Sequence, residues 1–171
     1  WAASVRLTAR ANVWARPAAG WRACHSARAH RLRPCSVAQV AAFDYHDGVF
    51  KQTQLVDLKN EGSEQKVGAG GLHTSPDGKF LYVANRGEAN QLLVFAIDGK
   101  GQLKKVQRRS VEGLEPREFS FDPSGHFMLI ANQKSNQIVT VKVDPKTGLL
   151  GDTVQKVDFD SPSDFRFLTA K

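Results

Sequence analysis

The sequence predicts an all-β chain that forms part of a β-propeller. Three observations carry this: short alternating segments that group in fours, a repeat of that group at a fixed spacing, and no stretch with helical periodicity. A β-sandwich is the other class built from such strands, but it does not repeat its turns at a constant period.

Two segments define the repeat, Leu72–Asp98 (LHTSPDGKFLYVANRGEANQLLVFAID) and Phe119–Asp144 (FSFDPSGHFMLIANQKSNQIVTVKVD). Pro76 aligns with Pro123, Gly78 with Gly125 and Asn85 with Asn132, each 47 residues apart. Asp98 aligns with Asp144 at 46, because the second copy has one residue fewer in its middle loop. A partial third copy precedes them, in which Phe43-Asp44-Tyr45-His46 resembles Phe95-Ala96-Ile97-Asp98.

Within a copy the first strand is expected at Leu72–Ser75, closed by Pro76-Asp77-Gly78, where glycine can take positive φ. The second, Phe80–Asn85, alternates and is rich in β-formers. The polar loop Gly87–Asn90 leads to the third, Gln91–Ile97, with Leu93, Phe95 and Ile97 on one face. Asp98-Gly99-Lys100-Gly101 turns the chain into the fourth, from about Leu103 to Val111, and the next blade opens at Glu118–Phe121. Lys104, Lys105, Arg108 and Arg109 fall on this outermost strand and read as a solvated edge guarded by like charge.

Blades of about 47 residues put a seven-bladed ring at roughly 330 residues. Val37–Lys171 supplies 135, a little over two four-stranded blades. Such a piece cannot close alone, so the expectation is a fragment that needs the missing N-terminal blades of the same ring as its partner. Residues 37–171 are assigned to the propeller and residues 1–36 to a non-propeller arm.

The arm holds seven arginines and no lysine, and the first carboxylate of the chain is Asp44. The net charge of +7 therefore lies in the arm, and the remainder is balanced. Its acid-free composition fits an organelle transit peptide, although Trp1, Trp14 and Trp21 fit one poorly. Translated non-coding sequence is the other reading, and either is preferred to a folded segment. Without lysines or a recognisable motif the arm does not indicate nucleic-acid binding. No run approaches the ~20 apolar residues of a membrane span. Cys24 and Cys35, with only His25 nearby, do not make a zinc site, and no other cluster has metal-ligand spacing. A propeller region without cysteine needs no oxidising compartment, and the cytoplasm is expected.

The strings LHTSPDGKFLYVANRG, EPREFSFDPSGHFMLIANQKSNQIVTVKVDPKTG and the closing SPSDFRF resemble the lactonase family of seven-bladed propellers. Its known activity is bacterial 6-phosphogluconolactonase, and the fungal carboxymuconate cyclase is a relative. The resemblance covers Gly71–Phe167 and implies hydrolysis of a sugar-phosphate lactone without a cofactor. It also implies a short final strand at S-P-x-x-x-x-F.

A sugar-phosphate lactone asks for cations at its phosphate, a donor where negative charge develops at the carbonyl, and a base near neutral pKa to activate water. His73, Arg86, Arg117 and Gln133 supply these types. His73 would be the base and Arg117 a phosphate or oxyanion contact. Arg86 would be a second cation and Gln133 a polar positioner. Glu118 would orient the Arg117 guanidinium or hold a water. Each has a structural rival: a hydrogen-bonded strand histidine, an Arg86–Glu88 ion pair, a cross-blade glutamine. Related surface-layer proteins use similar L-Y-V-x-N repeats as interaction platforms. Here, however, the copies differ at the candidate positions: His73 aligns with Ser120, Gly70 with Arg117 and Arg86 with Gln133. One asymmetric polar cluster suits a single active site better than a scaffold.

Overall fold

The computed structural model describes residues 4–6, 11–16, 38–46, 49–59 and 64–168. They form three four-stranded antiparallel sheets, each a simple meander. The two full copies are β5 (Val67–Thr74), β6 (Phe80–Gly87), β7 (Gln91–Ile97) and β8 (Leu103–Ser110), then β9 (Pro116–Phe121), β10 (Phe127–Asn132), β11 (Gln137–Val143) and β12 (Leu150–Asp158). The partial copy gives β3 (Gln39–His46) and β4 (Val49–Asp57). Two segments of the arm, β1 (Ser4–Arg6) and β2 (Ala11–Arg16), are laid in order against β3. The rest of the arm, with both cysteines, lies outside the described residues.

The apolar run of β7 is explained by burial on both faces. Leu93, Phe95 and Ile97 pack toward blade one with Val40, Ala42 and Leu58, whereas Leu92, Val94 and Ala96 pack toward blade three with Phe119, Ile130 and Val141. Period-two alternation thus distributes one strand between two cores, and each large side chain so buried contributes roughly 1.5–3 kcal/mol.

The blades are also bolted together by repeated polar contacts. The Gln54 amide donates to the Leu103 carbonyl at 2.9 Å and accepts from its N–H at 2.7 Å. One blade on, Gln107 does the same with Leu150, both at 2.8 Å. Buried Asn85 donates to the Leu58 carbonyl at 3.1 Å, and buried Asn132 to the Val111 carbonyl at 2.9 Å. These two asparagines satisfy the carbonyls where the preceding blade ends, as such residues do in loops.

The first turns of the two copies reach the same geometry with their residues exchanged. Ser75 donates to Asp77 and Ser124 donates to Asp122, both at 2.6 Å. The strand that follows is held by Ser75 in one copy (Phe80 N–H, 3.0 Å) and by Asp122 in the other (Phe127 N–H, 2.9 Å). Gly78 and Gly125 stand at φ +72° and +73°, the positive-φ turn position predicted for them.

Three expectations need correction. The inner strand β5 begins at Val67 rather than Leu72, because a bulge interrupts its alternation: Gly70 and Gly71 together oppose only Ala84. The charge run of β8 is solvated only at Lys104 and Lys105. Arg108 donates to the Leu58 and Lys59 carbonyls at 3.0 and 2.7 Å, and Arg109 to the Gly151 carbonyl at 3.0 Å and Glu112 at 2.9 Å. These two cations tie β8 to the chain on either side of it. Finally, SPSDFRF is not a strand, since no described strand lies beside it to complete a ladder.

Candidate active site at the junction of the inner strands

β5 and β9 are the first strands of their blades and lie against each other. His73, near the end of β5, points across the blade boundary. Its Nε2 is 2.6 Å from Oε1 of Glu118 on β9, and its ring meets Phe119 edge-on with centroids 5.0 Å apart. The same Glu118 oxygen accepts the Phe119 N–H at 2.9 Å. Glu118 therefore pairs with His73, not with Arg117 as the sequence suggested: its side chain turns back toward β5, where Gly71 leaves room. A Cβ at Gly71 would stand 2.6 Å from that carboxylate oxygen. With Glu118 ionised, Nε2 carries the shared proton and the lone pair is left on Nδ1. The His73 side chain is 42% exposed, enough for solvent or a ligand to reach it.

The other candidates stand around the start of β9. Arg117 is the extra residue of a bulge in β9: Glu118 opposes Ala131 and Pro116 opposes Asn132, so Arg117 has no direct opposite. Bulges redirect side chains in this way beside functional sites. Arg117 is exposed, and among the described residues it has no ion pair or hydrogen bond to its side chain. Arg86, by contrast, is engaged. Its guanidinium donates to the Ala69 carbonyl at 3.2 Å and to Glu115 at 3.4 Å, while its buried Nε has no acceptor among the described residues. The expected partner, Glu88, instead accepts the Lys66 N–H at 3.2 Å. Gln133 opens a single 3₁₀ turn after β10, and its backbone N–H donates to the Glu115 carbonyl at 3.0 Å.

Sequence reasoning missed Glu115 and Lys134. Glu115 sits at φ +58°, left-handed backbone that non-glycine residues seldom occupy. Its N–H donates to Asn90 at 2.8 Å, and its carboxylate lies 3.4 Å from both Arg86 and Lys134. The available signal was its position directly before Pro116-Arg117. Among the described residues no group of His, Cys, Asp and Glu could hold a metal ion.

The class of protein so defined is a β-propeller with a histidine–carboxylate pair and, where two inner strands meet, an arginine that has no partner among the described residues. The chain belongs to the family described as lactonase, 7-bladed beta-propeller, whose sequence model matches residues 36–167. It is similar to 6-phosphogluconolactonase of Formosa agariphila, 41% identical over 100 residues, covering 57% of this chain and 28% of that protein. It is also similar to 6-phosphogluconolactonase of Bacillus subtilis, 32% identical over 133 residues, covering 76% and 38%. Among solved structures it matches the periplasmic gluconolactonase PpgL of Pseudomonas aeruginosa with a TM-score of 0.75 and 52% identity, covering 77% of this chain and 37% of that one. The chain thus spans less than two fifths of the length of these relatives.

Proposed function

We propose that the propeller to which these blades contribute is a lactone hydrolase acting on 6-phosphogluconolactone, the step that yields 6-phosphogluconate in the oxidative pentose phosphate pathway. The observation that carries this reading is the His73–Glu118 pair at 2.6 Å beside an arginine that no described protein group neutralises. His73 Nδ1 takes a proton from water as the water oxygen bonds to the lactone carbonyl carbon. Glu118 stabilises the imidazolium that forms. Arg117 faces the negative charge that develops on the carbonyl oxygen, or holds the phosphate. On collapse the ring C–O bond breaks, and the imidazolium returns its proton to the leaving alkoxide. Arg86, fixed by Glu115, is the second cation, and Gln133 is a polar positioner. The chemistry needs no cofactor.

Two relatives with 6-phosphogluconolactonase names support the substrate class, and the P. aeruginosa neighbour extends it to gluconolactone. For the compartment we propose the cytoplasm, because residues 37–171 contain no cysteine to oxidise. No helix among the described residues is long and apolar enough to cross a membrane. For residues 1–36 we propose a targeting or spurious arm.

The test is hydrolysis of freshly generated 6-phosphogluconolactone by a complete ring containing these blades, corrected for spontaneous opening. Activity that disappears in both His73→Ala and Arg117→Ala supports the reading. A folded ring with no activity on this lactone or on gluconolactone removes it and favours an interaction platform.

A further inference from the structure

Three cations stand around one carboxylate at the start of β9. Glu115 divides its two oxygens, with Oε1 3.4 Å from the Arg86 guanidinium and Oε2 3.4 Å from the Lys134 ammonium. Arg117 follows shortly after Glu115 and has no partner among the described residues. The acids on either side of Glu115 are already engaged. Glu112 is 2.9 Å from both Arg109 and Lys156, and Glu118 is 2.6 Å from His73. Arg86, Lys134 and Arg117, less the single carboxylate of Glu115, leave two positive charges in excess.

Lys134 is the open end of the chain Arg86–Glu115–Lys134. Its side chain is 70% exposed, against 18% for Arg86 and 19% for Glu115. Its backbone, by contrast, is fixed. The Lys134 N–H donates to the Leu114 carbonyl at 3.1 Å, the Gln133 N–H to the Glu115 carbonyl at 3.0 Å, and the Leu114 N–H to Ser135 Oγ at 3.0 Å. Loop and turn lie so close that a Cβ at Gly113 would stand 2.7 Å from that Ser135 oxygen. A long side chain thus swings from a rigid base, and its exposed ion pair with Glu115 is of the weak kind that a stronger anion displaces. The repeat does not ask for this lysine. In the other full copy the equivalent position is Gly87, at φ +78°, where a Cβ would meet the Lys66 carbonyl oxygen at 2.5 Å. Lys134 is therefore an addition to its blade and no part of the blade-building pattern.

The cluster is continuous with the histidine pair. On β5, a Cβ at Gly70 would stand 3.3 Å from the Arg86 stem and 3.1 Å from the Pro116 carbonyl, and one at the adjacent Gly71 would meet Glu118. One pair of glycines thus admits both polar groups to the same junction. A phosphorylated sugar lactone carries its phosphate away from the reacting carbonyl, so it needs two such poles. Its phosphate monoester bears about −1.5 to −2 charges at pH 7, which matches the local excess. We propose that Lys134 is the contact that selects this phosphate, and so the residue by which the ring prefers a phosphorylated sugar lactone to the unphosphorylated one. Glu115 is its positioning residue, holding Lys134 beside Arg86 until the phosphate takes its place. The inference rests on the hydrolase reading above. It assigns a residue to the one group by which the lactones in the relatives' names differ, 6-phosphogluconolactone and gluconolactone.

The test measures kcat and KM of the complete ring on freshly generated 6-phosphogluconolactone and on gluconolactone, each corrected for spontaneous opening. Lys134→Ala is expected to lower the ratio of kcat/KM, phosphorylated over unphosphorylated, roughly tenfold, as for loss of one charge-assisted hydrogen bond. The loss should fall on KM, because the phosphate contact is made equally in the ground state and the transition state. Inhibition of gluconolactone turnover by inorganic phosphate should weaken to a similar degree. Lys134→Arg should restore the ratio, and Lys146→Ala, on an exposed turn of the same blade, should not alter it. A Lys134→Ala ring that keeps the parent's ratio overturns the proposal and leaves the hydrolase reading intact. So does a parent ring with no preference for the phosphorylated lactone. Equal losses on both lactones also overturn it and confine Lys134 to support of Glu115 and Arg86. A folded ring inert toward both lactones removes the hydrolase reading, and this inference with it.

Discussion

Two arginines lie at the inner junction and two on the outer strand β8, and the pairs differ in what the protein offers them. Arg108 reaches the Leu58 and Lys59 carbonyls, and Arg109 reaches the Gly151 and Ser110 carbonyls together with Glu112 and Thr153. At the inner junction Arg86 has Glu115 and the Ala69 carbonyl, while Arg117 has no partner among the described residues. A guanidinium has five donors to satisfy. Where backbone carbonyls take them, the charge is a fastener. Where none does among the described residues, as at Arg117, the charge is open to the ligand contact proposed for it. The density of acceptors, not the clustering of charge along the sequence, separates the two roles.

The largest effects expected from this contrast are catalytic. In a complete, active ring, Arg117→Ala should lower kcat/KM by roughly 10²–10³, the range for loss of one oxyanion donor. His73→Ala should cost about 10²–10⁴, the range for a general base. Arg117→Ala, at an exposed side chain with no partner among the described residues, should melt within about 1 °C of the parent, whereas His73→Ala also gives up its bond to Glu118 and should lower the Tm. If Arg117→Ala instead lowered the Tm and spared turnover, the inner cation would be a fastener like its outer counterparts.

Next in size is Arg108→Ala, which should leave activity intact and destabilise the fold by about 1.5–3 kcal/mol, the range for hydrogen bonds that involve a charged group. Chemical denaturation of the chain measures it directly. Arg108→Lys should recover little, since a single ammonium does not reproduce a fork that spans two neighbouring carbonyls. Full recovery by lysine would show that charge rather than geometry matters there.

The two regions were unequally legible in the sequence. The repeat, the turn glycines and the Leu93, Phe95 and Ile97 face of β7 follow from local chemistry and period, and so could be read directly, whereas burial of the other face in a second core could not. Pro76, Gly78 and Asn85 announce their counterparts 47 residues on. The outer arginines were misread because their acceptors, Leu58, Lys59 and Gly151, are backbone atoms 42–50 residues away and leave no mark in side-chain identity. The start of β5 was hidden because two bulge glycines break the alternation that defines a strand. At the junction the strand of His73 was legible and Arg117 was placed just ahead of a strand that in fact begins at Pro116, but the partner of Glu118 was not legible. It depends on how far β5 and β9 are offset across a blade boundary, and that offset is set by tertiary packing.

A smaller fastener refines the contrast. Gln107 joins the blades as Arg108 does, but through a neutral amide that both donates and accepts. Gln107→Ala should cost about 1 kcal/mol or slightly more, since it also leaves the Leu150 N–H and C=O without their partner. Gln107→Glu loses the donated bond to the carbonyl and should be worse than alanine at neutral pH. Thermal melts of the two variants decide whether complementary donor and acceptor, rather than contact alone, make the latch.

The smallest effect concerns carboxylates that face solvent rather than a blade boundary. At Asp77 partial burial alone would raise the pKa, but donation from the Ser75 hydroxyl and the Lys79 N–H more than offsets it and leaves the group below its usual range. Asp122 follows the same logic, with burial opposed by the Ser124 hydroxyl and the Phe127 N–H. Asp98 and Asp144 are lowered by the Gln102 N–H and the Thr147 hydroxyl respectively. A carboxylate whose folded pKa is depressed stabilises the fold above its unfolded pKa, about 3.9 for Asp. That contribution is lost as pH falls through the folded value. The Tm should therefore stay level from neutral pH down to about 5 and decline below about 4. Asp122→Asn should flatten the decline slightly while keeping the turn, because an amide oxygen can still accept the Phe127 N–H. A decline centred well above pH 5 would show that groups other than these carboxylates set the acid limit.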